Sequence, residues 1–193
     1  IARSMHNEKT ANVAAADCVY NLHGGTILVR DAHNFHVGAT HKGTLNQMGG
    51  TFSGNAYVCV GRFAGGNGLY NLHGGEFVKR TDSYDDIIAG EDGTGVVSVA
   101  NGGVLSGRAT KGIRIGQNAG SLGAFIVSPD GTVTTRRFYG GSGTGSLVFN
   151  GGTVKAYNAT SASAFIATDL TRATVTPYGG AFDTDGDRKS TRL

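Results

Sequence analysis

The sequence predicts an all-β chain: a single-stranded parallel β-helix, or solenoid, of about seven coils. Three observations carry this. The unit Tyr20-Asn21-Leu22-His23-Gly24-Gly25-Thr26-Ile27-Leu28-Val29 returns almost unchanged as Tyr70-Asn71-Leu72-His73-Gly74-Gly75-Glu76-Phe77-Val78. Anchors of the Gly-Gly or Asp-Gly type end at Gly25, Gly50, Gly75, Gly103, Gly131, Gly152 and Gly180, at intervals of 25, 25, 28, 28, 21 and 28 residues. Self-similarity on that scale is the signature of stacked repeats. Apolar residues also alternate with polar ones, as in Val58 and Val60 or Leu147 and Phe149. No window of a dozen residues keeps helical spacing, so short strands account for the pattern.

Each repeat contains three β segments. One precedes the anchor, one follows it, and one ends in an apolar-x-apolar-Gly marker such as Phe35-His36-Val37-Gly38, Val58-Cys59-Val60-Gly61 or Ile113-Arg114-Ile115-Gly116. A coil with strands on several faces must turn sharply between them, and glycine is the residue that turns with φ > 0 at least steric cost. The pairs Gly24-Gly25, Gly49-Gly50, Gly74-Gly75, Gly102-Gly103, Gly151-Gly152 and Gly179-Gly180 are therefore the structural turn residues. Strands of successive coils would pair about 4.8 Å apart, giving a rod about 34 Å long. Inward residues should stack in columns, among them Tyr20-Leu45-Tyr70 and an asparagine ladder Asn21-Asn46-Asn71. The repeats fill residues 18–186, after a poorly ordered segment or decayed coil at 1–17. Residues 158–170 are the best helix candidate and are expected to be a loop with one turn at most.

Residues 187–193 break every upstream pattern and resemble the translation of a sequencing adapter, a non-native tail. They carry three positive side chains and one negative, so without them the formal charge of +3 becomes +1. No cluster of Lys and Arg interleaved with aromatics remains, which argues against a nucleic-acid partner. Glycine is abundant, at 33 residues, but has no three-residue period, which excludes collagen. No stretch approaches the ~20 apolar residues of a membrane helix, so this segment is not expected to be membrane-embedded. Residues 1–13 lack the apolar run of a signal peptide. Cys18 and Cys59 sit in different phases of the repeat and are expected to be two small buried side chains, not a disulfide.

The Tyr-Asn-Leu-x-Gly-Gly-Thr unit, the Val-Gly marker and the final segment (Leu147 to Ala156, Ala173-Thr174-Val175, then Gly179 to Thr184) resemble bacterial secreted proteins with autotransporter-associated β-strand repeats. Such chains share an architecture with surface proteins that carry a C-terminal sorting tail. The resemblance covers residues 18–186. It implies a right-handed, pectin-lyase-like parallel β-helix that is secreted or held on the bacterial outer surface, as passenger or surface scaffold within a longer chain. It brings no catalytic residues and no cofactor, and its implied partners are surface glycans or host and cell-surface components. The chain departs from the pattern at a charged insert, residues 79–92, and in its missing export and anchoring segments.

That insert, Lys79-Arg80-Thr81-Asp82-Ser83-Tyr84-Asp85-Asp86 with Glu91-Asp92, is the carboxylate-rich patch of the chain. One reading makes Asp82, Asp85, Asp86 and Glu91 a calcium or sugar site, as in a polysaccharide lyase, which needs carboxylates for the metal and a basic residue as proton acceptor. The other makes it a solvated loop, since nothing in the sequence brings the carboxylates to one face. His33, His36 and His41 cluster in one coil as a second metal candidate. His23 and His73, two coils apart, would stand about 10 Å from each other, too far to share an ion. Asp183-Thr184-Asp185-Gly186-Asp187 mimics a calcium loop without its bidentate glutamate. The column Thr26, Thr51, Thr132 and Thr153 raises an ice-binding alternative, interrupted by Glu76 and Val104. The expectation is a non-catalytic scaffold or adhesin-like segment; the alternatives are a fragment of a carbohydrate-active β-helix enzyme or a glycan-binding module.

Overall fold

A computed structural model describes residues 17–29, 34–54, 57–79, 86–107, 111–157 and 164–184. The first coil holds β1 (Cys18–Leu22), β2 (Thr26–Val29) and β3 (Phe35–Val37). The second holds β4 (Lys42–Gln47), β5 (Thr51–Gly54) and β6 (Val58–Val60), and the third β7 (Asn67–Leu72), β8 (Glu76–Lys79) and β9 (Ile87–Ala89). The fourth contains β10 (Thr94–Val99), β11 (Val104–Ser106) and β12 (Ile113–Ile115), the fifth β13 (Leu122–Val127), β14 (Thr132–Thr135) and β15 (Phe138–Tyr139). Then come β16 (Thr144–Phe149) and β17 (Thr153–Ala156), and last β18 (Arg172–Val175) and β19 (Ala181–Asp183).

Equivalent strands pair in parallel, coil on coil, and build three faces. The first face is β1-β4-β7-β10-β13-β16-β18, the second β2-β5-β8-β11-β14-β17-β19, the third β3-β6-β9-β12-β15. A single bridge from Phe138 to Ile166 carries the third face into the sixth coil. The molecule is thus an all-β parallel β-solenoid, and the described residues contain no helix.

The register is the one the anchors set. Thr26, Thr51, Glu76, Val104, Thr132, Thr153 and Ala181, each the residue after an anchor, pair in one row across the second face. The unequal intervals are absorbed mainly between the second and third faces. Only Arg136 and Arg137 separate β14 from β15, whereas residues 80–86 separate β8 from β9. Strand length is fixed by the faces; loop length on this one edge is free.

Period-2 alternation puts every second residue inside. The column Tyr20-Leu45-Tyr70 runs on through Val97, Phe125, Leu147 and Ala173. Its members from Leu45 to Leu147 are at most 2% exposed, against 50% for Tyr20 in the first coil. The second face's inward column is Ile27-Phe52-Phe77-Leu105-Val133-Val154-Phe182, with the Phe52 and Phe77 rings 5.0 Å apart and edge to face. Each such ring contributes about 2–3 kcal/mol by burial.

The asparagine ladder forms, but on the outside. Asn46 donates to Asn21 and Asn71 to Asn46, each at 2.8 Å. These residues alternate with inward Leu45 and Tyr70, so they must face solvent. The inward row beside them is Leu22-Gln47-Leu72. Gln47 is fully buried, accepts from the Tyr70 hydroxyl at 2.6 Å, and donates to the Gly50 and Glu76 carbonyls at 3.2 and 3.0 Å. A buried phenol needs an acceptor, and Gln47 supplies it. Loss of that donor in Tyr70→Phe is expected to cost about 1–3 kcal/mol in urea unfolding; no change would place the hydroxyl outside the core network.

In the anchor pairs, positive φ falls on Gly25, Gly50 and Gly75 in the first three coils and on Gly102, Gly151 and Gly179 later. In the fourth coil the position of His23 and His73 is filled by Ala100, and Asn101, with φ 51°, is the residue added at that corner. A second glycine column escaped the sequence reading: Gly43-Gly68-Gly95-Gly123-Gly145, at the second position of β4, β7, β10, β13 and β16. A Cβ on Gly95 would overlap the Val60 carbonyl oxygen and the Gly90 nitrogen, whereas one on Gly24 would meet nothing. Gly95→Ala is expected to destabilise by about 3 kcal/mol in urea unfolding and Gly24→Ala by less than about 0.5. Equal effects would show that the corner tolerates a side chain.

Candidate functional site

The third face carries the charge clusters. Its outward column is His36-Cys59-Ile88-Arg114-Tyr139. Residues 86–92 are no insert in the repeat: Ile87-Ile88-Ala89-Gly90 is the regular marker strand and its corner. Lys79 ends β8 and is 3% exposed, so it is not part of a solvated loop. Asp82 and Asp85 lie outside the described residues.

Asp86 and Glu91 flank β9, one before it and one after, and they serve separate clusters. Asp86 is buried. It accepts from the Tyr139 hydroxyl, and its Oδ2 lies 3.7 Å from an Arg114 guanidinium nitrogen, while Oδ1 is buried without a hydrogen-bond partner. Burial pushes its carboxyl above the usual range, against the opposing pull of the Tyr139 hydrogen bond and of Arg114, Lys111 and Arg137. The Arg114 and Arg137 guanidiniums lie 4.7 and 4.1 Å from the centroid of the Tyr139 ring. Burial, then the hydrogen bond to Asp86, raises the Tyr139 phenol beyond its ordinary range.

Glu91 faces the other group. Its Oε2 is 3.4 Å from Arg62 Nε and accepts from the Cys59 thiol at 3.7 Å. Arg62 also donates to His36 Nε2 at 2.8 Å, and its guanidinium lies 4.5 Å from the centre of the Phe63 ring. Burial and then Arg62 lower the His36 pKa to about 4. The imidazole is thus neutral, with the Nε2 lone pair occupied. Burial, then the Glu91 charge, keeps Cys59 a thiol. His36 bonds Arg62 and Cys59 bonds Glu91, so each has a partner within the cluster.

The remaining sequence candidates disperse. His41 bonds Thr40 Oγ1 at 2.9 Å, away from His36, and His33 lies outside the described residues. His73 Nε2 meets Ser98 Oγ at 3.2 Å. Asp183 pairs with Lys155 at 3.6 Å; residues 185–187 of the loop-like motif are outside the description. Cys18 and Cys59 are free thiols, Cys59 buried as expected and Cys18 exposed on the first coil. The threonine row has the interruptions at Glu76 and Val104 that the spacing predicts. Among the described residues no group of three His, Cys, Asp or Glu side chains is placed to hold a metal ion. The partners the sequence reading missed are Arg62, Arg114, Arg137, Tyr139 and Tyr57, whose ring centroid lies 5.7 Å from the Arg62 guanidinium. Their common signal is position: each stands within the marker strand or a residue or two from it.

The fold defines a parallel β-solenoid protein, with two charge clusters on the outer side of its third face. No protein-family model, curated protein or solved structure matches this chain.

The lowered His36 pKa has a consequence for stability. The unfolded chain's histidine protonates near 6.5, the folded one near 4. Between those values the unfolded state binds more protons, so stability falls as pH drops from 6.5 toward 4. The urea midpoint should decline across that window, and His36→Gln should flatten the decline. An identical slope in the variant would contradict the assignment.

Proposed function

We propose that this chain is a non-catalytic scaffold of an exported bacterial surface protein, an adhesin-like or passenger segment of a longer chain. The observation that carries the reading is the pairing of Asp86 with Arg114 and Tyr139, and of Glu91 with Arg62 and Cys59. The groups best suited to chemistry hold the wall together. The resemblance to autotransporter-associated repeats supplies the exported setting, secreted or on the outer surface, with surface glycans or host-cell components as partners. A rigid rod that displays loops along one edge suits that role.

A second reading, a carbohydrate-active or glycan-binding β-helix, draws on the same edge, where the connection from β8 to β9 contains Asp82, Asp85 and Asp86. Incubation with acidic polysaccharides, with and without calcium, separates the two when followed by the ultraviolet absorbance of unsaturated uronates. The scaffold reading predicts no calcium-dependent signal. A signal abolished by Asp82→Asn, Asp85→Asn or Asp86→Asn would replace it with the enzyme, and selective retention on a glycan array without cleavage would replace it with a binding module.

A further inference from the structure

On the outer side of the third face two guanidiniums share one ring. Arg114 lies 4.7 Å and Arg137 4.1 Å from the centroid of Tyr139, so the pair spans no more than those two distances together. The register explains the gathering. Ile113 pairs with Ile87 on one side and Phe138 on the other, so Gly112 stands between Asp86 and Arg137 in the preceding column. A Cβ on Gly112 would come within 2.8 Å of Arg137 Cγ and 3.2 Å of the Tyr139 ring. With no side chain there, the ring crosses the fourth coil and donates its hydroxyl to Asp86 in the third.

The donors of this group are not all spent. Asp86 is 6% exposed, and its Oδ2 takes both the Tyr139 hydrogen bond and the ion pair with Arg114 at 3.7 Å. Arg114 Nε is buried without a hydrogen-bond partner. Arg137 is half-buried and lies over the ring, and among the described residues its guanidinium makes no hydrogen bond or ion pair. Lys111 is exposed, and its charge, like that of Arg137, reaches Asp86. An arginine fork is all donor and always charged, so two partly desolvated forks side by side attract an anion. Stacking holds each guanidinium plane in place and leaves the N–H groups at its rim available.

We infer that Arg137, with Arg114 beside it, binds a small oxyanion, a sulfate, phosphate or carboxylate group, on the outside of the third face. The forks supply paired N–H donors to its oxygens, the arrangement in which guanidiniums hold such groups most tightly. Asp86 and Tyr139 do not touch the anion: the carboxylate fixes the phenol, and the ring carries both guanidiniums. Asp86, from the carboxylate-rich stretch, thus serves a place for an anion and not for calcium. A scaffold can carry such a site without catalysis.

Titration of the full chain with sodium sulfate and with sodium acetate, followed by calorimetry at constant ionic strength set by chloride, tests this. The expected result is saturable binding of one anion per chain by at least one of the two salts. Saturation by sulfate alone assigns a tetrahedral oxyanion, and saturation by acetate alone a carboxylate. Arg137→Gln should weaken binding by about tenfold or more. Arg137→Lys, which keeps the charge and loses the fork, should fall between that variant and the unaltered chain. Lys42→Gln removes the same charge from the first face and should change the affinity by less than about twofold, because charges on another face are screened. No saturable binding of either salt overturns the inference, as does binding that Arg137→Gln leaves unchanged or that Lys42→Gln weakens equally. If Arg137→Gln does not fold, the arginine Nε–H signals of the unaltered chain decide by nuclear magnetic resonance. Those of Arg114 and Arg137 should shift and saturate with the anion, and their failure to shift overturns the site.

Discussion

At the corner between the third and first faces, neighbouring backbones meet with no room for a side chain. Gly38, Gly61, Gly90 and Gly116 turn there with φ between 66 and 76°. They pack against the column Gly43-Gly68-Gly95-Gly123-Gly145, whose missing Cβ atoms would overlap carbonyls and amides of the adjoining turn. This contact closes each coil at the same circumference. Once it is made, the parallel ladders, the columns and the aromatic stacking follow, because every coil must return to the point where the next one starts.

The energetic consequence is a narrow interior. Three short strands per coil enclose little more than one layer of side chains, so large rings are used in succession: Phe35, Phe52 and Phe77 toward one end, Phe125, Phe138 and Phe149 toward the other. Buried polar groups are few, and Asp86 Oδ1 is buried without a hydrogen-bond partner. Gln47 and Tyr70 satisfy each other inside the barrel of the coil. On the outside of the third face, charges are desolvated in pairs, which stabilises less than it specifies. His36 and Cys59 are kept uncharged there by the same burial that makes Arg62 and Glu91 seek each other.

Much of the fold could be read from the chain because its period is written in glycine. The anchor spacing fixed every pairing on the second face, including the short interval between Gly131 and Gly152, where one loop is nearly absent. Alternation identified the inward column from Tyr20 onward. It did not by itself say which of two neighbouring columns faces inward, so the asparagine ladder was expected inside and lies outside. The glycine column at the third corner was hidden because those glycines are single, unlike the doubled anchors, and only pairing shows them in line. The charge clusters were illegible for a related reason. Arg62 with Glu91, and Asp86 with Arg114 and Tyr139, are distant in sequence and meet only when marker strands are laid in register. Net charge along residues 79–92 looked like one patch, but β9 splits it into two environments.

The central claim is that strands pair across coils, in parallel, and not with their neighbours in sequence. Backbone nuclear Overhauser contacts in solution test it most directly. The account predicts contacts from Val97 to Tyr70 on one side and to Phe125 on the other, repeated along β7, β10 and β13. Contacts between β10 and β11 in the antiparallel pattern of a hairpin would contradict it.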